Sequence, residues 1–197
     1  MMSTMLAPHA KNQHVLHILE PEHAEELFAL SDGNRLFLRR FLPWLDNCQT
    51  PDDTRDFIKI ALAQFTQGKG FNAGIWVDQQ LVGVIGHHSI DWVNRIATLG
   101  YWLTEPYQGR GIMNAACRSI IGHAFDELNL NKVVIKCATD NLRSRAVPQR
   151  LGFVHEGTLR DAAWLYDHYV DLEVYGCLQR EWQHRQPHPV RIGLPPG

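Results

Sequence analysis

The sequence has no Cys-x-x-Cys pair, no long apolar run and no excess of charge of one sign, and each absence removes a class of function. Its four cysteines, Cys48, Cys117, Cys137 and Cys177, stand far apart, so neither a zinc site nor a disulfide framework is expected and they read as buried thiols. No stretch suits a membrane-spanning helix, and Met1 to Lys11 lacks the basic cluster and apolar core of a leader. A cytoplasmic protein without a membrane partner is therefore expected. The formal net charge of -2 supplies no basic field, which argues against a nucleic-acid partner held by phosphate contacts. No metal is expected either. Of eleven histidines only His184 and His188 have helical ligand spacing, and they lie among Pro, Arg and Gln with no carboxylate pair nearby.

What is present is enough apolar material for one sizeable core: 45% of 197 residues are hydrophobic. The organisation read from the chain is an N-terminal extension over 1–13, a single domain over 14–180 and a loose, Pro-rich tail over 181–197. His14 to Leu19 reads as a strand. Pro21 opens a helix that ends at Asp32-Gly33, a second short helix spans Asn34 to Phe41, and Pro43 stops it. Thr50-Pro51-Asp52-Asp53 is a helix start with an N-cap, a proline at the first position and acidic residues in the first turn; the helix runs to about Gln67. Phe71 to Val77 and Leu81 to Ile90 form a hairpin across Asp78-Gln79-Gln80. A strand over Leu99 to Leu103 follows, then a long helix from Ile112 to Leu128, a β-branched strand over Lys132 to Ala138, a short helix from Asn141 to Leu151-Gly152, and strands over Phe153 to Leu159 and His168 to Leu178. The fold class is a mixed α/β (α+β) sheet with helices on both faces.

Two glycines one residue apart, Gly109 and Gly111, stand between a strand and a helix. They let main-chain N–H groups converge on one point, where the helix N-terminus adds unpaired donors and a positive dipole end, so the loop suits a phosphate. A Walker loop would need Gly-Lys-Ser/Thr, which is absent. A dinucleotide fingerprint would need a third glycine at Asn114 and an acidic residue ending the next strand, which ends instead at Cys137-Ala138. A plain tight turn remains open on these residues alone.

Gln108-Gly109-Arg110-Gly111-Ile112-Met113 resembles the Gln/Arg-x-x-Gly-x-Gly/Ala signature of the GCN5-related N-acetyltransferase (GNAT) superfamily, with Met113 replacing a small residue. Asn141-Leu142-Arg143-Ser144 and Leu151-Gly152-Phe153 look like that family's later segments. Phe41-Leu42-Pro43-Trp44, Tyr101-Trp102-Leu103 and Glu156-Gly157-Thr158-Leu159-Arg160 are similar to its ribosomal-protein-serine N-acetyltransferase branch, in which a Met at the position of Met113 is common. The resemblance implies the GNAT fold, a mostly antiparallel sheet with one splayed parallel strand pair.

It also implies an acetyl-CoA-dependent N-acetyltransferase that uses acetyl-CoA as co-substrate and no metal, and that acts on a protein N-terminus or a small amine. A homodimer stays open. By resemblance, the main chain of Gly109, Arg110, Gly111, Ile112, Met113 and Asn114 with Gln108 holds the pyrophosphate, a main-chain N–H near Trp102 or Leu103 faces the thioester oxygen, Asn141 bonds the cofactor arm, and Ser144 helps protonate the departing thiolate. Each has a plain alternative: Trp102 as core, Asn141 as a helix cap, Ser144 as a first-turn serine. Pro148 cannot donate to the Ser144 carbonyl, which predicts a disturbed helix there. Candidate proton acceptors are His87, His88, Asp91, Glu105 and Glu156. Some relatives carry a carboxylate a few residues beyond Gly-x-Leu-Arg, where Ala162-Ala163 stand here. That lack motivates a second reading, a non-catalytic acyl-CoA-binding sensor; a third, a small-molecule (antibiotic or polyamine) acetyltransferase, would call for an acidic acceptor pocket, and the sequence has no acidic run that would build one.

Overall fold

Local sequence dictates several elements directly. In the computed structural model, which describes residues 14–183, the helix α3 (Pro51–Thr66) starts on a reciprocal cap: Thr50 Oγ1 accepts from Asp53 N at 3.2 Å and Asp53 Oδ2 accepts from Thr50 N at 2.8 Å. Two orphan donors of the first turn are thereby satisfied. The strands β1 (His14–Ile18), β2 (Phe71–Val77), β3 (Gln80–Asp91), β4 (Ile96–Leu103), β5 (Lys132–Ala138), β6 (Val154–Leu165) and β7 (His168–Leu178) form one sheet in the order β1-β2-β3-β4-β5-β7-β6. Every pair is antiparallel except β4 and β5. The β2–β3 turn places Asp78 and Gln79 at positive φ, the conformation that a tight hairpin with strand-matched twist demands.

The helices α1 (Ala24–Gly33) and α3 lie on one side, where Leu19, Ala24, Leu27, Ile58, Leu81 and Val84 form a small core, and the short α2 (Arg35–Leu38) follows α1. The larger core lies on the other side, under α4 (Ile112–Gly122) and α5 (Leu142–Leu151), and includes Leu99, Ile112, Ile120, Phe125, Ile135 and Tyr175. The mixed sheet covered on both faces agrees with the sequence reading.

Four boundaries differ from expectation. Pro21–His23 is a 3-10 turn ahead of α1. The fourth strand, β4, begins at Ile96, three residues before Leu99, because Ile96, Ala97 and Thr98 pair with both neighbours. The long helix changes to a π turn over His123–Glu127 just after Gly122, the residue with the weakest helical preference in the run. β6 continues to Leu165 through a register shift between Leu159 and Ala163, with Asp161 at φ 47; the bulge interrupts the alternation that marks a strand.

The chain also stays ordered past Arg180. Gln179–Gln183 forms α6, Trp182 is buried against Phe125, and Arg118 lies over its indole. Glu181 and Trp182 thus belong to the fold and not to the tail, because one aromatic seated in the core outweighs the polar composition around it. The expected extension over 1–13 and the His184/His188 pair lie outside the described residues.

One buried group gives the fold a pH dependence. His87 is 1% exposed, its two ring nitrogens have no hydrogen-bond partner among the described residues, and it meets Phe71 edge-on at 5.0 Å with His123 beyond. Burial, with smaller contributions from His123 and His88, lowers its pKa from 6.5 to about 3. The folded state therefore holds it neutral while the unfolded chain takes a proton below 6.5. Its stability contribution is complete above 6.5 and is lost as pH falls from there toward about 3. Unfolding free energies from urea titrations at about pH 7 and about pH 5 should differ by about 2 kcal/mol from this group, at about 1.4 kcal/mol per pH unit. In His87→Leu that part of the difference should disappear.

Candidate active site

The parallel pair creates the site. β4 and β5 are in register only from Ile96↔Lys132 to Leu99↔Ile135, and both strands continue beyond: β4 through Gly100, Tyr101, Trp102 and Leu103, and β5 through Lys136, Cys137 and Ala138. Past Leu99 the two strands carry main-chain groups with no partner strand between them. The direction of those groups follows from the β3 side. Thr104 N donates to Val82 O at 3.0 Å, and a Cβ added to Gly83 would meet the Trp102 carbonyl at 2.3 Å, so Thr104 and Trp102 turn toward β3. Alternation along an antiparallel ladder then turns the main chains of Tyr101 and Leu103 toward β5, into the gap. Of the two expected positions for a thioester-facing N–H, the Leu103 main chain turns into the gap with that of Tyr101, whereas the Trp102 main chain turns toward β3.

At the open end of the gap stands the glycine loop. Gly109 (φ 73) and Gly111 (φ 81) are left-handed, and a Cβ on either would meet nothing within 4 Å. Gly111 is the N-cap of α4, and the first intrahelical bond runs from Ala115 N to Gly111 O at 3.1 Å. The N–H groups of Ile112, Met113 and Asn114 therefore have no intrahelical acceptor and point out of the helix end into open space, a geometry that could hold a diphosphate. Ile112 and Met113 send their side chains into the core and offer only main chain. Met113 there replaces a small residue without crowding the loop. Arg110 is exposed with its guanidinium 5.2 Å from the Tyr107 ring centre. Gln108 is spoken for: its Nε2 donates to Leu103 O at 3.0 Å and its Oε1 accepts from Arg143 Nη1 at 2.7 Å, so it braces the loop against β4 and α5.

α5 closes one face of the gap. Asn141 is its N-cap, with Oδ1 accepting from Ser144 N at 3.1 Å, as the plain reading of that residue requires. Pro148 leaves the Ser144 carbonyl without its helical donor, and the Tyr101 hydroxyl fills the vacancy at 3.1 Å. Burial holds the Tyr101 phenol well above its usual pKa, so it remains a donor. Ser144 is thus tied across the gap to β4, and its side chain is the polar neighbour of the Cys137 thiol on β5.

Sequence reasoning missed two residues that hold this arrangement. Tyr101 stands in the sequence only within the Tyr101-Trp102-Leu103 segment, with no role of its own, although the proline four residues after Ser144 is the signal that a carbonyl needs a donor. Arg145, for which the sequence leaves either a cofactor phosphate or solvent as partner, donates from Nη1 to Thr139 O at 2.7 Å and from Nε to Tyr175 OH at 3.4 Å, pinning α5 to the end of β5 and to β7.

The other face of the gap is open and aromatic. Trp102 packs toward the α1 and α3 core, with the Trp44 ring 6.2 Å away. Beside it the β6–β7 turn is fastened to the loop after α2: Tyr166 OH donates to Leu42 O at 2.5 Å, and Arg39 lies 3.7 Å over the Tyr166 ring while bonding Asp46. An open cavity of about 460 Å³ lies among Arg39, Asp46, Tyr166 and His168. The chain around 41–47 and around 162–168 therefore meets.

Comparison with known proteins fits this geometry. The family model described as an acetyltransferase (GNAT) domain matches residues 14–154. The chain is 40% identical over 174 residues to the putative ribosomal N-acetyltransferase YdaF of Bacillus subtilis (strain 168), covering 87% of this chain and 95% of the relative. It is 34% identical over 160 residues to the ribosomal-protein-serine acetyltransferase of Escherichia coli (strain K12), covering 81% and 89%. Among solved structures, a ribosomal L7/L12 alpha-N-protein acetyltransferase in complex with coenzyme A superposes with a TM-score of 0.84 at 26% identity, over 88% of this chain and 97% of that one.

Proposed function

This chain belongs to the GNAT acetyltransferase family, and from that premise we propose that it passes the acetyl group of acetyl-CoA directly to the α-amino group at a protein N-terminus, in the cytoplasm. The observation that carries the reading is the gap itself: two parallel strands part beyond Leu99, with a helix N-terminus and two left-handed glycines at the open end. An extended arm anchored at that end by its phosphates would lie between β4 and β5 as a substitute strand.

The chain's residues divide the work. The N–H groups of Ile112, Met113 and Asn114 bind the diphosphate. Main-chain groups of Leu103 and Tyr101 bond the arm, and a donor among them polarises the thioester carbonyl as negative charge builds on its oxygen. Asn141 sets the first turn of α5, and the Ser144 hydroxyl gives a proton to the departing thiolate. Transfer is direct. Burial pushes the Cys137 thiol up to about 11, so it stays protonated and is a poor nucleophile for an acetyl-enzyme. An α-amine, with an ordinary pKa near 7.7 to 8.0, is partly free base at neutral pH and suits such a site better than a lysine. The names of the ribosomal acetyltransferase relatives support a protein acceptor.

The test measures CoA release from acetyl-CoA with three acceptors: a peptide with a free α-amine and an internal lysine, the same peptide blocked at its N-terminus, and spermidine. Release with the first alone is expected. Release with spermidine alone would favour the small-molecule reading, and tight acetyl-CoA binding without release to any acceptor would favour a sensor.

A further inference from the structure

We propose that His88 is the general base, the group that takes the proton from the acceptor's ammonium as it enters the gap. The assignment rests on the acetyl-transfer reading above. It starts from a break in the β3–β4 ladder, where His87 pairs with Leu99 but Ser89 pairs with Thr98, so that His88 is an extra residue in a bulge. A bulge bends its strand and re-aims a side chain, and here the result is specific. A Cβ added to Gly100 would stand 2.0 Å from His88 Cε1 and 2.1 Å from Nε2, so the imidazole lies on Gly100 and any larger residue there would displace it.

Gly100 is the first residue of β4 beyond the last β4–β5 pair, which puts the ring at the apex where the strands part. Strand alternation fixes the face. Gly100 and Trp102 share one side, and Tyr101, bonded to Ser144, points to the other. His88 therefore stands across the sheet from Ser144, on the aromatic face with Trp44 and Trp102. A proton acceptor on one face and a proton donor on the other is the arrangement that acetyl transfer needs.

The other candidates fall on geometry. His87 is sealed at 1% exposure. Asp91 accepts from Asn94 N and Nδ2 at the far end of β3. Glu105 sits 3.8 Å from Arg143 on the exposed rim, and Glu156 pairs with Lys132 and covers Gly176. His88 is exposed and, unlike the three carboxylates, has no described residue hydrogen-bonded or ion-paired to its side chain. Its seat on the sheet lowers its pKa by desolvation, with no charged neighbour contributing, so it is neutral near pH 7 and able to accept. His87, the adjacent imidazole, packs with Phe71 and the larger core.

The step balances. An N–H proton of the ammonium passes to a His88 ring nitrogen, the freed nitrogen pair forms the C–N bond, and the carbon–sulfur bond breaks. The thiolate takes a proton from the Ser144 hydroxyl, and the nitrogen gives up its second N–H proton to the same imidazole as the amide forms. His88 passes each proton in turn to solvent, from which Ser144 takes one back, so that one proton is released per acetyl group transferred.

The experiment compares kcat/KM for a free-amine peptide against pH in wild type, His88→Gln and Gly100→Ala. His88→Gln should lose about 10²-fold near pH 7. The loss should shrink to a few-fold above about pH 9, where the amine is already free base. Gly100→Ala, which keeps the imidazole but pushes it aside, should lose about tenfold near pH 7 with the same trend. Acetyl-CoA affinity should stay within twofold in both. A His88→Gln rate within twofold of wild type near pH 7, or a deficit constant across pH, would overturn the assignment while leaving acetyl transfer intact. Absence of transfer by wild type would overturn the acetyl-transfer reading and this assignment with it.

Discussion

Gly111→Trp should abolish acetyl-CoA binding, raising Kd at least about 100-fold, a loss of about 2.7 kcal/mol. Two effects combine. The position holds φ 81, where an L-residue is strained, and an indole there would fill the open space into which the Ile112, Met113 and Asn114 N–H groups point. The fold should survive, because a Cβ on Gly111 meets nothing within 4 Å and the strain of one left-handed residue costs about 1–2 kcal/mol. Calorimetric titration with acetyl-CoA, alongside thermal unfolding, separates the two. A folded variant that binds as wild type does would remove the phosphate-loop assignment.

Ser144→Ala should lower kcat about 10²-fold and leave acetyl-CoA affinity within about threefold. The hydroxyl is placed by backbone, not by its own bonds: Asn141 caps its N–H and Tyr101 holds its carbonyl, so α5 keeps its seat when Oγ is removed. The loss should grow with the basicity of the leaving thiol, since a poorer leaving group leans more on the acid. Acetyl thioesters of thiols with different pKa values would check this. An equal loss for all of them would mean that Ser144 packs against the arm without moving a proton.

These expectations draw unequally on sequence and structure. Helix α3 was legible because Thr50, Pro51 and Asp53 encode its first turn within four residues, and β5 because Lys132–Ala138 is a β-branched run buried on both faces. Local chemistry also marked Gly109 and Gly111, whose positive φ is the property that the pattern Gly-x-Gly advertises. The second half of β6 and the helix around Trp182 were hidden, one by a bulge at Asp161 and the other by a single buried aromatic in polar company.

The site was legible in its residues but not in their partners. Ser144 stood out by resemblance, yet Tyr101 and Arg145, which fix it, act across 43 and 6 residues of chain to atoms that only the folded sheet brings near. Gln108 and Asn141 show the converse. Both were expected at the cofactor, and both have structural partners in the fold, Gln108 at Leu103 and Arg143, and Asn141 at Ser144 N. The candidate base was one of five residues until the β3 bulge and Gly100 singled it out, and a bulge is a property of strand pairing that no single strand reveals.

The central claim, direct transfer to a protein α-amine, is tested most directly by locating the acetyl group. A peptide with a free N-terminus and an internal lysine is incubated with the protein and acetyl-CoA and then fragmented in a mass spectrometer. One acetyl group on the α-nitrogen, none on the lysine and none on the protein's own cysteines is the result predicted. Acetyl on the lysine instead, or on a cysteine during turnover, would contradict it.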